Sequence, residues 1–431
     1  MNPALTLPDV RPLATLCVFL FVFSLPVKAS PSPEATTPKT FADLCLNKNN
    51  LSVETLHTIN ALLQEAKTQD CHQAEKLLST NTKLSLENRQ ITDLRPLSTL
   101  TNLRELSLEN IPEGRSPLSK NKISDLTPLS TLTKLTKLTL GNNQIVDITP
   151  LSTLTTLTYL SLYKNQIANL RPLSTLTKLT ILSIPTNNKI ADLKPLSTLT
   201  NLTKLYLGGN QIIEVKPLST LTNLTTLTLD RNKIADLKPL STLTNLTFLS
   251  VENNQITDLK PLSTLTNLTL LYLSTNQITD LKPLSTLTKL TLLELSTNQI
   301  TDLKPLSALT NLNALYLSTN QITDLKPLSA LTNLNALHLY KNQIADLRPL
   351  STLTKLTILS LDNNEIADLR PLSTLPNLTE LYLNNNQIAD LRPLSSLTKL
   401  TGVYLSNNPT LTDKTCPVKP ASICSFAPPS R

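Results

Sequence analysis

Between Leu265 and Leu287 the chain reads LTNLTLLYLSTNQITDLKPLSTL, with apolar residues at Leu268, Leu271, Leu273, Ile278, Leu281, Leu284 and Leu287. The same spacing recurs along most of the sequence. Units counted from the first leucine of each L-x-L pair begin at Leu84, Leu106, Leu138, Leu160, Leu182 and Leu205, and every later step, from Leu205 to Val403, is 22 residues. A fixed period in the twenties predicts a solenoid. Within a unit, Leu271 and Leu273 flank an outward Tyr272, the alternation of a short strand with one buried face. Asn276 ends that strand, and its column also holds Asn143, Asn165, Asn210, Asn232, Asn254, Asn298, Asn320, Asn342, Asn364 and Asn386. Buried amides in such a row have the donors and acceptors to bond the backbone of adjacent coils. Ile278, Leu281, Leu284 and Leu287 bring the chain back on the other side, where Pro283 starts a short helical or 3-10 turn. One unit cannot bury its own leucines, so stability is expected from neighbouring coils.

The motif LxLxxNxIxDLxPLxxLxxL, carried over Leu84 to Asn408, resembles the 22-residue leucine-rich-repeat class of the secreted bacterial internalins. The resemblance implies an α/β repeat fold: a curved right-handed leucine-rich-repeat solenoid, with a concave parallel β-sheet that grips another protein and short turns on the convex side. The array is irregular at its start. Arg89 stands where the first asparagine belongs, the second unit carries about ten extra residues, Asn110 to Ser119, and the fifth has a surplus residue around Asn187 and Asn188. An insertion at the strand exit is expected to bulge near the concave rim.

The flanks read differently. Residues 1–29 resemble a secretory leader: Arg11, an apolar run from Leu13 to Leu25 that is short for a membrane span, and Val27-Lys28-Ala29 as the cleavage site. Residues 30–40 form a Pro/Ser/Thr linker. Residues 41–80 are predicted to be a helical cap, with helices over Ser52 to Ala66 and Asp70 to Leu78, the second opened by a capping box of Asp70 and Gln73. Repeats fill 81–408, about 15 units, and 409–431 form a C-terminal cap and tail. Cys45 and Cys71 lie in the first cap and Cys416 and Cys424 beyond the last repeat, so pairing within each end is expected in an exported protein; either other pairing spans the solenoid. Neither an immunoglobulin-like domain nor a sorting motif follows, so a free extracellular or periplasmic protein is expected.

Composition changes this picture little. With 3% aromatic residues, no Trp and 5 Gly, the core is built from Leu and Ile. The net charge of +8 raises the question of nucleic acid. A basic row before the prolines (Lys238 to Arg392) has an acidic row two positions earlier (Asp236 to Asp390), and no aromatics interleave with it, so a solvated edge is expected rather than a phosphate-tracking stripe. Three histidines, His57, His72 and His338, supply no catalytic base with a nucleophile, and Cys71-His72 lacks a second zinc ligand pair. No enzyme activity, cofactor or metal is expected. Five Asn-Leu-Thr sequons (Asn201, Asn223, Asn245, Asn267, Asn377) follow from the repeat itself.

Candidate function lies in the outward columns beside the strand leucines. All eight tyrosines fall there: Tyr159, Tyr163, Tyr206, Tyr272, Tyr316, Tyr340, Tyr382 and Tyr404. Beside them Phe248, Leu270, Leu292, Ala314, Ala336 and Ile358 form an apolar column over six coils, roughly 25 Å long. Glu252, Glu294, Asp362 and Glu380 rim it. Such a surface fits a protein partner, with a glycan as the alternative, bound by a monomer; His338 offers pH sensitivity. The competing readings are cross-strand packing without a ligand, a structural surface or adhesion protein, and a regulatory subunit of a phosphatase-type enzyme.

Overall fold

The computed structural model describes residues 40–111, 120–186 and 188–427. The leader, all of the linker except Thr40, and most of the Asn110–Ser119 insertion lie outside the described residues. Thr40 opens α1 (Phe41–Leu46): its hydroxyl accepts from the Asp43 amide, and the Asp43 carboxylate accepts from the Thr40 amide. Apolar spacing predicts two helices in this region, and α1 is a third, too short for its periodicity to register. Next come α2 (Val53–Glu65), capped by Ser52, and α3 (Cys71–Thr80). Asp70 caps α3 by accepting from Gln73 N–H at 2.7 Å. The reciprocal half of the expected box is absent, because the Thr68 hydroxyl intervenes: it accepts from Asp70 N–H and donates to the Gln73 side chain.

Sixteen strands among the described residues form one parallel sheet in sequence order, from β1 (Lys83–Ser85) to β16 (Cys424–Ser425). The sheet lines the concave side of the solenoid and the 3-10 turns its convex side. Leu271 pairs with Leu249 on one side and Leu293 on the other, so each inward leucine stacks on its equivalents. Opposite the sheet, a turn such as Lys282–Thr286 carries Pro283 as its second residue and buries Leu284. Its Asp280 carboxylate accepts from Lys282 N–H at 2.8 Å. The acidic row is thus a row of backbone caps. Arg95, Arg348, Arg370 and Arg392 also reach the acid two residues back, whereas no lysine of the row makes an ion pair among the described residues.

The asparagine column works as its chemistry requires. Asn276 donates to the carbonyls of Val251 and Leu273 and accepts from Ile256 N–H, joining two coils through buried atoms. Asn188 takes this place in the fifth unit, accepting from Ile167 N–H. Arg89 replaces it in the first coil because no earlier coil offers carbonyls there. Its guanidinium instead reaches Glu65 of α2 at 2.8 Å, and its carbonyl meets His57 Nε2 at 2.7 Å. Nearby Thr55 and Arg95 bond Asp93; burial opposes the charged carboxylate, but these bonds outweigh it and hold the pKa below the usual range. The sequon asparagines also serve the scaffold, as where Asn245 donates to the Thr222 carbonyl of the preceding coil.

Disulfides Cys45–Cys71 and Cys416–Cys424 secure the two ends, each with Cα atoms 5.7 Å apart. No helix among the described residues is long and apolar enough to cross a membrane.

Candidate binding face

Each strand buries its central residue and turns the two flanking side chains outward, so parallel register lines equivalent positions up from coil to coil. The apolar column is continuous: Phe248 lies beside Leu270, Leu270 beside Leu292, then Ala314, Ala336 and Ile358. Neighbours half-bury these side chains and Ala314 is 9% exposed, so the column is a low ridge rather than a row of free side chains.

Aromatic rings pair in the neighbouring column, at the other end of the strands. Tyr272 tilts against Phe248 with centroids 5.4 Å apart. Tyr316 stacks on His338 at 4.7 Å, and Tyr382 on Tyr404 at 4.6 Å. Both stacked pairs join adjacent strands in direct register, which fixes the rings before any ligand arrives. The Tyr382 hydroxyl donates to the Glu380 carboxylate at 2.5 Å, and this bond, then burial, pushes its pKa up to about 12. Burial also lowers the His338 pKa and raises that of Glu294, the latter although Ser296 N–H donates to it at 2.8 Å. Tyr340 is the most open ring, 39% exposed.

Other sequence-predicted residues stand apart. The Tyr163 ring lies over Gly141, where any Cβ would clash with it, and its hydroxyl donates to the Asn110 carbonyl at 3.0 Å. Its pKa rises to about 12, through burial first and then Glu109. Tyr163 therefore braces the base of the insertion. Tyr159 lies beneath Lys137, whose Nζ is 5.4 Å from the ring centroid. Tyr206 makes no aromatic pair among the described residues, and Thr228 and Ser250 separate it in register from Tyr272. No group of three His, Cys, Asp or Glu side chains among the described residues is placed to hold a metal.

The family model for leucine-rich repeats, two copies per match, covers residues 118–153, 155–198, 200–242, 244–286, 288–330, 332–374 and 376–415. The chain belongs to the leucine-rich-repeat family. Its array is internalin-like: the internalin InlF of Listeria monocytogenes is 34% identical, with a TM-score of 0.65, matching over 85% of this chain and 97% of that one. The functional domain of InlJ from the same species is 26% identical with a TM-score of 0.65, covering 85% and 82%. A leucine-rich-repeat protein of Leptospira interrogans, 26% identical, has a TM-score of 0.67 and covers 81% and 96%. The InlJ domain includes a cysteine ladder; in this leucine-rich-repeat chain no cysteine lies inside the array. No curated protein matches the chain.

Sequence reasoning passed over one feature of the leucine-rich repeats. Beyond the second strand leucine, Ser274, Ser296 and Ser318 give way to Tyr340, Asp362, Asn384 and Ser406. The last four border a groove of about 1070 Å³ that Lys414 and Phe426 of the C-terminal segment also line. The change from serine to aspartate and asparagine is visible in the sequence. Its conjunction with the C-terminal segment is not.

Proposed function

We propose that this internalin-like chain is an exported, non-catalytic binding module that holds a protein ligand on its concave sheet, over the ridge from Phe248 to Ile358 and the rings from Tyr272 to Tyr404. The observation that carries the reading is the pairing of rings on successive coils. Tyr316 with His338, and Tyr382 with Tyr404, present rigid amphipathic surface on the side of the sheet away from the leucine core. A ligand that covers such preset rings loses little of its binding energy to ordering them. The acidic rim of Glu252, Glu294, Asp362 and Glu380 favours a partner with basic or amide groups opposite it. Tyr163 contributes by holding the insertion base, and Tyr159 and Tyr206 form a separate, sparser patch. Export fits the end-placed disulfides, which persist in oxidising compartments, and a monomer is the assembly state this reading uses.

The test compares the parent with a triple variant, Tyr272→Ser, Tyr316→Ser and Tyr382→Ser, in capture from surface and extracellular extracts. Titration of the purified partner follows. Loss of anchors at the centre of a protein interface is expected to weaken binding by at least about 30-fold. Equal affinity for both would remove the concave sheet as the site.

A further inference from the structure

The groove at the C-terminal end has a chemistry that the rest of the array lacks. Asp362 accepts from the Asn384 backbone N–H at 2.6 Å and is bonded by the Asn384 side chain as well. Asn384 accepts from the amide and hydroxyl of Ser406, at 2.8 and 2.6 Å, while its side chain also bonds Asp362. Asn385, held in the left-handed region at φ 57°, accepts from Asn407 Nδ2 at 2.7 Å, so its Nδ2 and the Asn407 oxygen remain open. Asn385 and Asn407 are thus each fixed through one polar atom and present the other.

The open amide donor of Asn385 and the open oxygen of Asn407, one coil apart, match adjacent hydroxyls on a chain of sugars. The exposed ring of Tyr340 stands at one end and the partly buried Phe426, next to β16, at the other, four strands or roughly 19 Å along the array. An aromatic face suits the C–H side of a sugar ring. Charge argues the same way: Asp362 and Lys414 are the groove's only ionisable side chains apart from Tyr340, too few and of opposite sign for a phosphate or a metal ion.

We propose that the groove between Tyr340 and Phe426 binds a neutral oligosaccharide lying along the array, at a site separate from the paired rings of the sheet. The proposal does not rest on the protein-binding reading, and the two share only Tyr340 and Asp362.

The experiment uses the full chain against immobilised neutral tri- to hexasaccharides of glucose, galactose and N-acetylglucosamine. Asn385→Ala and the double variant Asn384→Ala/Asn385→Ala are measured beside the parent. Asn385 bonds an exposed side chain rather than backbone, and a thermal melt of the single variant measures what alanine costs at this left-handed position. The parent should retain at least one oligosaccharide, with affinity at least about tenfold weaker in Asn385→Ala and weaker again in the double variant. Capture of a protein partner should be unchanged by both. Three results overturn the proposal: no oligosaccharide retained by the parent, equal retention by parent and variants, or retention lost only when Tyr272 and Tyr316 are replaced. The last would move the sugar to the sheet.

Discussion

A single asparagine shows how much one side chain does in this array. Asn298 donates to the carbonyls of Leu273 and Leu295 at 3.2 and 2.9 Å and accepts from Ile278 N–H at 3.0 Å, all within buried surroundings. Alanine there leaves one amide and two carbonyls buried without that partner, at a cost of about 3 kcal/mol. Asn311 makes one exposed bond, to the Thr288 carbonyl at 2.8 Å, and its alanine variant should cost below about 1 kcal/mol. Urea unfolding of Asn298→Ala and Asn311→Ala checks the ordering; equal costs would mean that solvent replaces the inner bonds as readily as the outer one. The inner row was legible because Asn recurs at one position while its neighbours vary. Arg89 and Asn110 were not, since each answers a partner far off in sequence. Arg89 reaches Glu65, and Asn110 donates to the carbonyls of Asn121 and Asn142 across the insertion. The same limit applies to the binding face. The columns of Tyr272, Tyr316 and Tyr382 follow from strand alternation, but which rings pair depends on side-chain geometry that no period encodes.

At the scale of one coil, the turn leaving most strands places a residue in the left-handed region. Gly209 fills it in one coil and asparagine in several, including Asn253, Asn363 and Asn385. Thr275, Thr297 and Thr319 adopt it at φ 55°, 58° and 56°. A β-branched side chain is crowded by the backbone there, whereas asparagine tolerates the conformation. Replacing these three threonines by asparagine should stabilise the protein by about 1 kcal/mol at each site and raise the melting temperature in calorimetry. An unchanged or lower melting temperature would show that the coils already relieve the crowding. The repeat pattern predicts the strand and the 3-10 turn, because their leucines and proline recur, but it is silent on this strain: threonine at the position reads as one more polar surface residue.

Across the array, contacts run chiefly between neighbouring coils, so stability is a chain of adjacent interfaces and the ends are the weakest links. Covers at both ends answer this. Helices α1 and α3 are joined by Cys45–Cys71, across 26 residues, for which loop closure contributes on the order of 3 kcal/mol. At the other end β16 adds a two-residue strand, with Leu405 N–H donating to the Ser425 carbonyl at 2.8 Å, and Cys416–Cys424 holds it in place. The cysteine positions made these covers legible; that the second one continues the sheet was not, because Cys424-Ser425 lacks the leucine pair of a repeat. Removing the second disulfide by Cys416→Ser and Cys424→Ser should free β16 while leaving the middle of the array intact. In hydrogen exchange, the amide of Leu405 should lose protection and the amides around Leu293 should keep theirs. Faster exchange at both places would mean that the array opens as one cooperative unit. Confinement to the last coils would show that the end cover acts locally, and since Lys414 and Phe426 belong to that cover, the groove they line would open with it.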